Sequence, residues 1–547
     1  MRVVIIGGVA GGMSAAARLR RLDNNAEIIV LEKSGHVSYA NCGLPYFVGG
    51  IIKDESSLLL QTPESLFDRF RLDVRVYSEA VSIDPTSQIV IVRNLKQGNQ
   101  YELSYDYLIL SPGALPVIPP IPGIERALPL RTVEDVERMT NAVVLAPRHA
   151  VVIGAGFIGV EIAENLTHRG VATTLVEATN QVLAPLDPEM ATPIADELRR
   201  HGVSLLLGES VETIGSHDVR LASGEIVPAD LVIVAIGVRP EIGLARAAGL
   251  AIGERGGIEV DEFNRTSTKN IYAIGDAAQK ADALDGSAVL IPLANIANRH
   301  GRTVADHIAG RIVRPRTTIG TAIVKVFDLT VATTGWNEKR LSAQGRAFLA
   351  IHTHPTSHAG YYPDAKLMAL KLLFDPTSGA ILGAQGVGSE GVDKRIDVLA
   401  TAIRAGLAAP ELADLELAYA PPFGSAKDPV NMLGYVAENV LSGLVETVQW
   451  SEVDGLRILG ARLVDVRTAE EFAHGALPGA VNIPLDELRA RVSELEDVDT
   501  VVYCQVGQRG HIAALLLKEL GLRARNLDGG YETWRSSPAS VVPELVG

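Results

Sequence analysis

The stretch that decides the fold reads HAVVIGAGFIG at residues 149–159, an apolar strand that runs into the glycine pattern G-x-G-x-x-G. A helix is predicted over residues 160–169 and a second strand over 172–176, directly before Glu177. The glycines allow a tight turn and let a pyrophosphate approach the helix N-terminus. Glu177 is placed to accept hydrogen bonds from a ribose 2′-hydroxyl and would repel a 2′-phosphate. The segment therefore predicts a β-α-β dinucleotide-binding unit that favours NADH over NADPH.

A similar unit begins the chain. Its strand starts at Arg2 and leads into GGVAGG at residues 7–12, where Val9 stands in place of the middle glycine. A predicted helix and a second strand follow, and this strand ends before Glu32. Far downstream, Asp276 follows another apolar stretch. A carboxylate after a buried strand can bind the ribityl chain of FAD, and Glu32 the adenosine ribose. This unit therefore predicts an FAD site, and Asp276 is also expected to cap a helix.

Length and charge narrow the possible functions. The chain has 547 residues and a net charge of −15, so we expect three or four domains and no nucleic-acid partner. The apolar start, residues 2–6, is too short for a signal peptide, and no window approaches the roughly 20 apolar residues of a membrane span. The low cysteine content suits a reducing compartment. We therefore expect a cytoplasmic protein that does not enter the membrane.

The two cysteines of the chain each lie in a segment suited to a reactive thiol. Cys42 lies in SYANCGLPY at residues 38–46, and Cys504 opens the loop CQVGQR at residues 504–509, directly after an apolar strand. Neither has a nearby cysteine for a Cys-x-x-Cys couple or a cysteine-rich zinc site. A helix N-terminus or a cation is expected to lower the pKa of Cys42 from about 8.5. Each thiol must work alone with an external sulfur atom, which indicates sulfur chemistry divided between two modules.

The C-terminal half carries no further nucleotide motif. Alternating strands and two helices over residues 320–444 predict an α+β domain, and a polar stretch near 449–455 precedes a small α/β unit. His352, His354 and His358 lie in the α+β region. Because no cysteine or acid nearby completes a ligand set, we expect these histidines on a solvated strand edge and predict no metal site.

Two nucleotide units of which the second is inserted, the Gly275-Asp276 strand end and the α+β domain together resemble the flavoprotein disulfide reductases over residues 1–445. The single-cysteine segment at 38–46 is similar to the coenzyme A–disulfide reductase group, which also includes NADH oxidases and NADH-dependent persulfide or polysulfide reductases. The last ~95 residues, with DVR at 465–467 and the Cys504 loop, resemble a single rhodanese domain.

The resemblance implies an α/β protein with two Rossmann-like dinucleotide-binding domains, one for FAD and one for NAD. An α+β dimerisation domain and a C-terminal α/β rhodanese domain follow. The implied boundaries are 1–115 and 246–319 for the FAD domain, 116–245 for the NAD domain, 320–445 for the dimerisation domain, 446–455 for a linker and 456–547 for the rhodanese domain.

The resemblance also implies roles for individual residues. Cys42 is the redox nucleophile that cycles between a thiolate and a mixed disulfide with CoA. Tyr361 and Tyr419 of one subunit assist the flavin–cysteine site of the other, and Cys504 carries sulfane sulfur stabilised by Arg509 and backbone amides. The implied FAD-binding residues are Gly7, Gly8, Ala10, Gly11, Glu32, Lys33, Ser111, Pro112, Gly113, Gly275, Asp276 and Ala294. The implied NAD-binding residues are Gly154, Gly156, Phe157, Ile158, Gly159, Glu177 and Gly237. The implied CoA-binding residues are Ser14, Arg18, Arg21, Ser38, Asn41 and Lys427.

The function implied is an FAD-dependent homodimeric oxidoreductase. It would pass electrons from NADH through flavin and Cys42 to CoA disulfide, CoA persulfide or polysulfide, with Cys504 handling sulfane sulfur. Two alternatives remain. One is an NADH oxidase or peroxidase in which Cys42 cycles through sulfenic acid. The other is a sulfur-carrier or redox-sensing protein whose terminal domain only binds persulfide.

Overall fold

The first predicted strand, Arg2–Ile6, lies inside a parallel sheet, as its unbroken apolar run requires. In the computed structural model, which describes residues 1–495 and 498–541, this strand pairs with Glu27–Leu31 on one side and Tyr107–Leu110 on the other. Val3, Val4 and Ile5 are fully buried. The sheet order is Ile271–Ala273, Tyr107–Leu110, Arg2–Ile6, Glu27–Leu31 and Asp73–Arg75.

The second nucleotide unit repeats this arrangement in a sheet of its own. Its strands also pair in parallel, in the order Ser204–Leu207, Ala172–Glu177, His149–Ile153, Leu231–Val234 and Leu128–Pro129. Because Ile271–Ala273 returns to the first sheet, the second nucleotide unit is an insertion between strands of the first nucleotide unit. Both glycine-loop helices begin earlier than the sequence predicts: the first at Ala10 rather than Ser14, and the second at Phe157 rather than Val160. The reason is that the end of each glycine loop forms the first helical turn.

These two sheets belong to a unit of residues 1–180 and 201–320. Its helices are Ala10–Leu22, Leu44–Val48, Pro63–Phe70, Val133–Val144, Phe157–His168, Gly243–Ala247 and Ala294–Ile308. Its remaining strands form antiparallel sheets: Ser78–Asp84, Ile89–Asn94 and Gln100–Ser104; Val211–Ile214, Asp218–Leu221 and Ile226–Pro228; Ala114–Pro116 and Val238–Pro240; Lys280–Ala281 and Ala288–Val289.

The second unit, residues 181–200 and 321–547, contains two further sheets. We call the first sheet, together with the helices Val392–Ala405 and Pro429–Leu441, the antiparallel domain. Its strands, in sheet order, are Ala322–Val326, Leu329–Gly335, Ile381–Gly388, Met368–Phe374 and Leu349–Thr353. The second sheet is parallel, in the order Thr447–Val448, Ala524–Leu527, Thr500–Tyr503, Arg462–Asp465 and Val481–Asn482. The helices of this unit are Pro188–Arg200, Glu338–Ala343, Val392–Ala405, Pro429–Leu441, Val453–Ile458, Ala469–Ala473, Leu485–Leu488, Gln508–Glu519 and Gly530–Arg535.

This architecture confirms the predicted fold class, with parallel nucleotide units, an α+β domain and a C-terminal α/β domain. The predicted linker, 446–455, contains Thr447–Val448, which pairs with Ala524–Leu527, and Val448 is buried. This segment is therefore part of the C-terminal sheet. Among the helices within 1–495 and 498–541, none has the length and apolar character needed to cross a membrane.

Two local predictions are wrong. His352 and His358 are buried, and His352 lies within the strand Leu349–Thr353, because other parts of the second unit cover that strand. Asp276 does not cap a helix: it lies inside a single 3₁₀ turn, Gly275–Ala277, whose preceding residue is Ile274. Both errors arise because neither side-chain burial nor turn length is apparent from local sequence.

We predict that the buried Arg395 of the antiparallel domain is needed for stability. Its guanidinium bonds to both carboxylate oxygens of Asp428, at 3.0 and 3.3 Å, and Asp428 also accepts from the Val430 N–H at the start of a helix. Arg395→Met would leave a buried carboxylate without this partner, which should lower the free energy of unfolding by about 3–5 kcal/mol. Urea unfolding checks this, with the exposed Lys325→Met as the control. Equal unfolding midpoints for the two variants would contradict it.

Candidate functional site

The first glycine loop, residues 7–12, turns tightly around the end of the first strand. Gly7 has φ +103°, and a Cβ there would lie 2.0 Å from the backbone oxygen of Ser111. The Glu32 carboxylate accepts hydrogen bonds from the N–H groups of Gly8, at 2.8 Å, and Ser34, at 2.9 Å. The predicted acid is thus fixed beside the start of the following helix, where a nucleotide ribose could replace part of these bonds.

The second glycine loop, residues 154–159, has the same design. Gly154 has φ +102°, and the Glu177 carboxylate accepts from the Ala155 N–H at 2.8 Å. A Cβ on Gly159 would lie 1.8 Å from the Gly154 backbone oxygen, whereas a Cβ on Gly156 would meet nothing within 4 Å. One glycine therefore holds the helix against the strand, and another leaves the turn open to a pyrophosphate. Phe157 and Ile158 form the first helical turn, and Gly237 is exposed with φ +112°.

The structure brings most of the predicted FAD residues together. A Cβ on Gly11 would lie 2.9 Å from Ser111 Oγ, and Gly275 has that same oxygen within 3.9 Å of its own Cβ position. Ala294 begins the helix Ala294–Ile308, which approaches the first helix so closely that a Cβ on Gly301 would lie 2.4 Å from the Gly11 oxygen. These close approaches bring the glycine loop, Ser111, Gly275 and the start of the helix Ala294–Ile308 together at the ends of the first sheet's strands.

Three further residues of the FAD set are placed differently. The Pro112 carbonyl accepts from Arg131 Nη2 at 2.8 Å, and Gly113 follows it with φ +76°. Lys33 instead lies at the surface, where its ammonium pairs with Glu79 at 2.9 Å. The Lys33 ammonium is therefore bonded to a surface carboxylate and does not join the residues that gather around Ser111.

Asp276 is held near a buried cation. Burial raises the pKa of Asp276, and the charges of Lys280 and Arg131 oppose this effect. Lys280 Nζ donates to the Gly275 carbonyl at 2.8 Å and to the Ala278 carbonyl at 3.0 Å. Burial lowers the pKa of Lys280 to about 8, against the Asp276 charge. Sequence reasoning did not identify Lys280, whose importance follows only from its burial.

Cys42 is exposed in a 3₁₀ turn, Asn41–Gly43, that leads directly into the short helix Leu44–Val48. Its thiol pKa is raised, first by desolvation and then by the charges of Glu161 and Asp276. The prediction that neighbouring protein groups lower the pKa of Cys42 is therefore wrong. The main reason is burial of the thiol, and the charges that add to this effect belong to carboxylates.

Glu161 is a site residue that sequence reasoning missed. Its Oε1 accepts from the Tyr46 hydroxyl at 3.1 Å, and burial raises its pKa to about 7. The carboxyl lies on Phe157–His168, the helix of the second glycine loop, while Tyr46 lies on the helix that follows Cys42. A usable signal was an acid in an otherwise apolar helical turn.

The predicted CoA residues of the first unit are partly engaged within the protein. Arg18 bonds to Asp306 through Nε at 2.8 Å and Nη2 at 2.6 Å, and Ser14 Oγ donates to Asn298 Oδ1 at 2.8 Å. Arg21 and Asn41 are exposed, and Ser38 has φ +49° with its N–H bonded to the Gly8 carbonyl. In the second unit, Lys427 Nζ lies 5.6 Å from the centre of the Tyr435 ring.

The two predicted catalytic tyrosines meet at the surface of the second unit. The hydroxyl oxygens of Tyr361 and Tyr419 are 2.7 Å apart, and Tyr361 is 76% exposed. Their hydrogen bond raises the pKa of Tyr361. Phe423 is also exposed. One hydroxyl donates to the other, and the proton of the accepting hydroxyl stays available to a bound anion.

Cys504 lies at the base of a backbone cradle, residues 504–509. The residue is only 1% exposed and directly follows the strand Thr500–Tyr503, and Gly507 turns the chain with φ +89° into the helix Gln508–Glu519. Arg509 makes a two-pronged bond to Glu471, at 2.8 and 2.6 Å. Its hydrogen bond to Glu471 is the main cause of its raised pKa, and Cys504 contributes to the same effect.

A cavity of about 280 Å³ opens beside this cradle. Its wall includes Arg467, Gln505 and Tyr531. Arg467 is buried, bonds to Asp465 at 2.6 Å and to Gln505 Oε1 at 2.8 Å, and stacks on the Tyr531 ring. The DVR segment at 465–467 thus orients Gln505, the residue that follows Cys504.

We predict that Glu161→Gln lowers the pKa of the Cys42 thiol, because it removes a negative charge that destabilises the thiolate. The amide can still accept the Tyr46 hydrogen bond. The rate of Cys42 alkylation against pH measures this, in protein carrying Cys504→Ser. The Cys42 alkylation rate of Glu161→Gln should exceed that of the parent protein by a factor that grows as pH rises through about 7, where Glu161 loses its proton. The exposed Glu212→Gln serves as the control, and an unchanged or raised thiol pKa in Glu161→Gln would refute the assignment.

Comparison with known proteins confirms the resemblance inferred from sequence. Residues 1–301 match the family described as pyridine nucleotide-disulphide oxidoreductase, residues 321–429 its dimerisation domain, and residues 450–537 the rhodanese-like domain. The chain is 36% identical over 441 residues to a coenzyme A disulfide reductase of Staphylococcus aureus strain JH9, which covers 80% of this chain and 100% of the relative.

Two solved structures extend the similarity over nearly the whole chain. Reduced CoADR-RHD from Bacillus anthracis superposes with a TM-score of 0.97 and 49% identity, over 98% of both chains. An NAD-dependent persulfide reductase from A. fulgidus gives a TM-score of 0.92 and 38% identity, over 98% of this chain and 100% of the other. The chain therefore belongs to the pyridine nucleotide-disulphide oxidoreductase family, and it carries that family's dimerisation domain followed by a rhodanese-like domain.

Proposed function

We propose that this protein is an FAD-dependent reductase that passes electrons from NADH through Cys42 to CoA disulfide, CoA persulfide or a related polysulfide. The observation that carries the proposal is the solitary Cys42 in a nucleotide-binding unit. The chain has two cysteines, and the other, Cys504, is buried in a cradle of its own. Cys42 therefore has to find its disulfide partner in a substrate. The relatives named for CoA disulfide and persulfide reduction support this substrate class.

The chemistry at Cys42 needs only an external sulfur–sulfur bond. Its thiolate attacks one sulfur of CoA disulfide, forms a mixed disulfide with that CoA, and releases the other CoA as a thiolate. Two-electron reduction of the mixed disulfide then releases the second CoA thiolate and restores Cys42. Bound FAD and NADH supply these electrons. Because burial and two carboxylates disfavour the Cys42 thiolate, a protonated Glu161 suits the attacking state.

We assign the two glycine loops to the two nucleotides. The loop at 7–12, with Glu32, Ser111, Gly275 and Asp276, would hold FAD, and the loop at 154–159 with Glu177 would hold NADH. The paired geometry of Glu32 and Glu177, each bonded to a glycine-loop N–H, supports this assignment.

CoA needs guanidinium partners for its phosphates. Arg21 is exposed, and Arg18 could exchange Asp306 for phosphate. We assign both to CoA, with Ser14, Ser38, Asn41 and Lys427. In a homodimer, the hydroxyls of Tyr361 and Tyr419 would protonate the departing CoA thiolate at the site of the opposite subunit. Their exposure and mutual hydrogen bond support this role.

Cys504 is assigned to sulfane-sulfur transfer. Its thiolate attacks the outer sulfur of a persulfide or thiosulfate donor, the new S–S bond forms at Cys504, and the thiolate or sulfite leaves with the bonding electron pair. Backbone N–H groups of the cradle and Arg509 stabilise the anion. With the predicted domain boundaries, the protein would join a reductase and a sulfurtransferase in one cytoplasmic homodimer.

We predict that the two thiols are separable. Cys42→Ser should lose NADH oxidation driven by CoA disulfide or CoA persulfide under anaerobic conditions, because the mixed disulfide cannot form. It should keep thiosulfate-to-cyanide sulfur transfer, and Cys504→Ser should show the reverse pattern. Full NADH-linked activity in Cys42→Ser would contradict the proposal. Fast aerobic NADH consumption without a thiol substrate would instead favour the oxidase alternative. Persulfide loading of Cys504 without NADH turnover would favour the sulfur-carrier alternative.

We predict that Glu177→Ser raises the KM for NADH by about tenfold, since a charge-assisted hydrogen bond to the ribose is worth roughly 1.5 kcal/mol. Discrimination against NADPH should fall, because the repelling charge is gone. Steady-state kinetics with both nucleotides test this, with the exposed Glu212→Ser as the control. A variant that still rejects NADPH as the parent does would show that Glu177 does not read the ribose.

A further inference from the structure

His352 lies between two carboxylates in the interior of the second unit. Its Nδ1 is 2.6 Å from Asp528 Oδ2, and its Nε2 is 3.0 Å from Glu189 Oε1. Its backbone N–H also donates to Asp528 Oδ1 at 3.2 Å. The residue is only 4% exposed. His352 therefore ties Asp528, at the end of a strand in the C-terminal sheet, to a strand of the antiparallel domain.

Asp528 leads directly into the segment that supports the Cys504 cradle. Gly529 and Gly530 follow it with φ +65° and +64°. A Cβ on Gly530 would lie 2.4 Å from the Cys504 carbonyl oxygen, and a Cβ on Gly529 would lie 2.8 Å from His352 Cβ. The strand end is therefore packed between the cradle on one side and His352 on the other.

Two backbone hydrogen bonds complete the connection. The N–H of Tyr531 donates to the Cys504 carbonyl at 2.8 Å, and the N–H of Glu532 donates to the Gln505 carbonyl at 2.9 Å. These two bonds fix the peptide groups that follow Cys504 and Gln505, and the N–H groups of the cradle belong to such peptide groups. A shift of Asp528 would be carried to Cys504 through only three intervening residues.

The other side of His352 is fixed by a buried lysine. Lys371 Nζ lies 2.5 Å from Glu189 Oε1, 2.9 Å from Asp187 Oδ2 and 2.7 Å from Glu338 Oε1. Its ammonium occupies the centre of this carboxylate cluster. Glu189 thus accepts from both Lys371 and His352, and cannot turn away from the imidazole without losing a buried ion pair.

The geometry requires a doubly protonated imidazole, because both ring nitrogens face carboxylate oxygens. Burial acts to lower the pKa of His352, but the Asp528 charge and the hydrogen bonds to Asp528 and Glu189 outweigh it and raise the pKa to about 9, with Lys371 opposing. His354 differs: burial and the His352 charge lower its pKa to about 4, and its Nε2 bonds to Thr533 Oγ1 at 2.7 Å.

We propose that His352 is a positioning residue for the sulfur-transfer site: through Asp528 it holds the backbone beneath Cys504, so that the antiparallel domain forms part of the support of the cradle. This inference rests on the role proposed for Cys504. Apolar groups replace buried ion pairs without loss of stability in many proteins. The alignment of His352, Asp528 and the cradle is therefore better explained by orientation than by stability alone.

The proposal has a definite pH dependence. Because the pKa of His352 in the folded protein, about 9, exceeds the ordinary value of 6.5, the tie is fully present below about pH 6.5 and is lost as pH rises through 9. Because the thiolate is the reactive form of any cysteine, alkylation rates also depend on pH for reasons unrelated to His352. The informative quantity is therefore the ratio of rates between the parent protein and a variant without the imidazole.

The test uses full-length, FAD-loaded protein with His352→Gln, whose side chain has N–H donors on one atom only and so cannot bridge Asp528 and Glu189 as the imidazole does. Alkylation of Cys504 by iodoacetamide in a Cys42→Ser background, and thiosulfate-to-cyanide transfer, should both slow by about tenfold near pH 7, since small misplacements of reacting groups cost this much or more. The ratio of parent to variant rates should approach one as pH rises through 9. NADH oxidation driven by CoA disulfide in the Cys42-intact protein should be unchanged.

His354→Gln is the matched control, because this neutral neighbour bonds to a helical threonine rather than to Asp528. It should change neither rate by more than about twofold. Asp528→Asn is the second variant: it keeps the carbonyl oxygen and should give an intermediate loss with a flattened pH profile. Suppose that the parent protein does not transfer sulfur from thiosulfate, but Cys504 alkylation is slower in His352→Gln. This result would contradict the sulfur-transfer role of Cys504 and support the positioning role of His352. If His352→Gln lowers the melting temperature but matches the parent in Cys504 alkylation at every pH, the positioning role is overturned.

Discussion

The close approach of two glycine turns to the backbone behind them is the constraint on which both nucleotide sites depend. At Gly7 the obstacle to a side chain is the Ser111 oxygen, and at Gly159 it is the Gly154 oxygen. In each unit the acid at the end of the next strand bonds to an N–H of the glycine loop. The same solution is used twice because both sites must bring a strand end, a helix start and a nucleotide together without side chains between them.

The two thiols occupy opposite electrostatic settings. Cys42 is an exposed residue, but its thiol is partly desolvated, and this desolvation together with the charges of Glu161 and Asp276 raises its pKa. Cys504 is buried but lies in a turn of backbone N–H groups beside Arg509. These settings suit the different roles proposed for the two thiols, electron acceptance at Cys42 and sulfane-sulfur transfer at Cys504. The first gains from a setting that changes with the protonation of a neighbour, and the second from a permanent anion cradle.

The buried charges of the second unit connect its two sheets. Lys371 and His352 together face four carboxylates, and Asp528 is the one that belongs to the C-terminal sheet. Isolated buried charges are costly, so such a cluster persists only where the groups satisfy one another. The cluster gives the cradle a support outside its own sheet. The strand Thr447–Val448, which pairs with Asn526 and Leu527, adds a second connection between the C-terminal sheet and the chain that precedes it.

Local sequence was sufficient for the two β-α-β units, the isolation of the two cysteines and the order of folds, because glycine spacing, apolar runs and cysteine spacing are properties of neighbouring residues. It predicted Glu32, Glu177 and the loop at 504–509, all of which occupy the expected strand ends and turns. Tertiary structure alone decided the rest. It buried His352 against Asp528, 176 residues away, placed Glu161 beside Tyr46, and paired Arg18 with Asp306. These outcomes depend on distant segments and on the burial they create, and burial sets which charges must be paired and which pKa values shift.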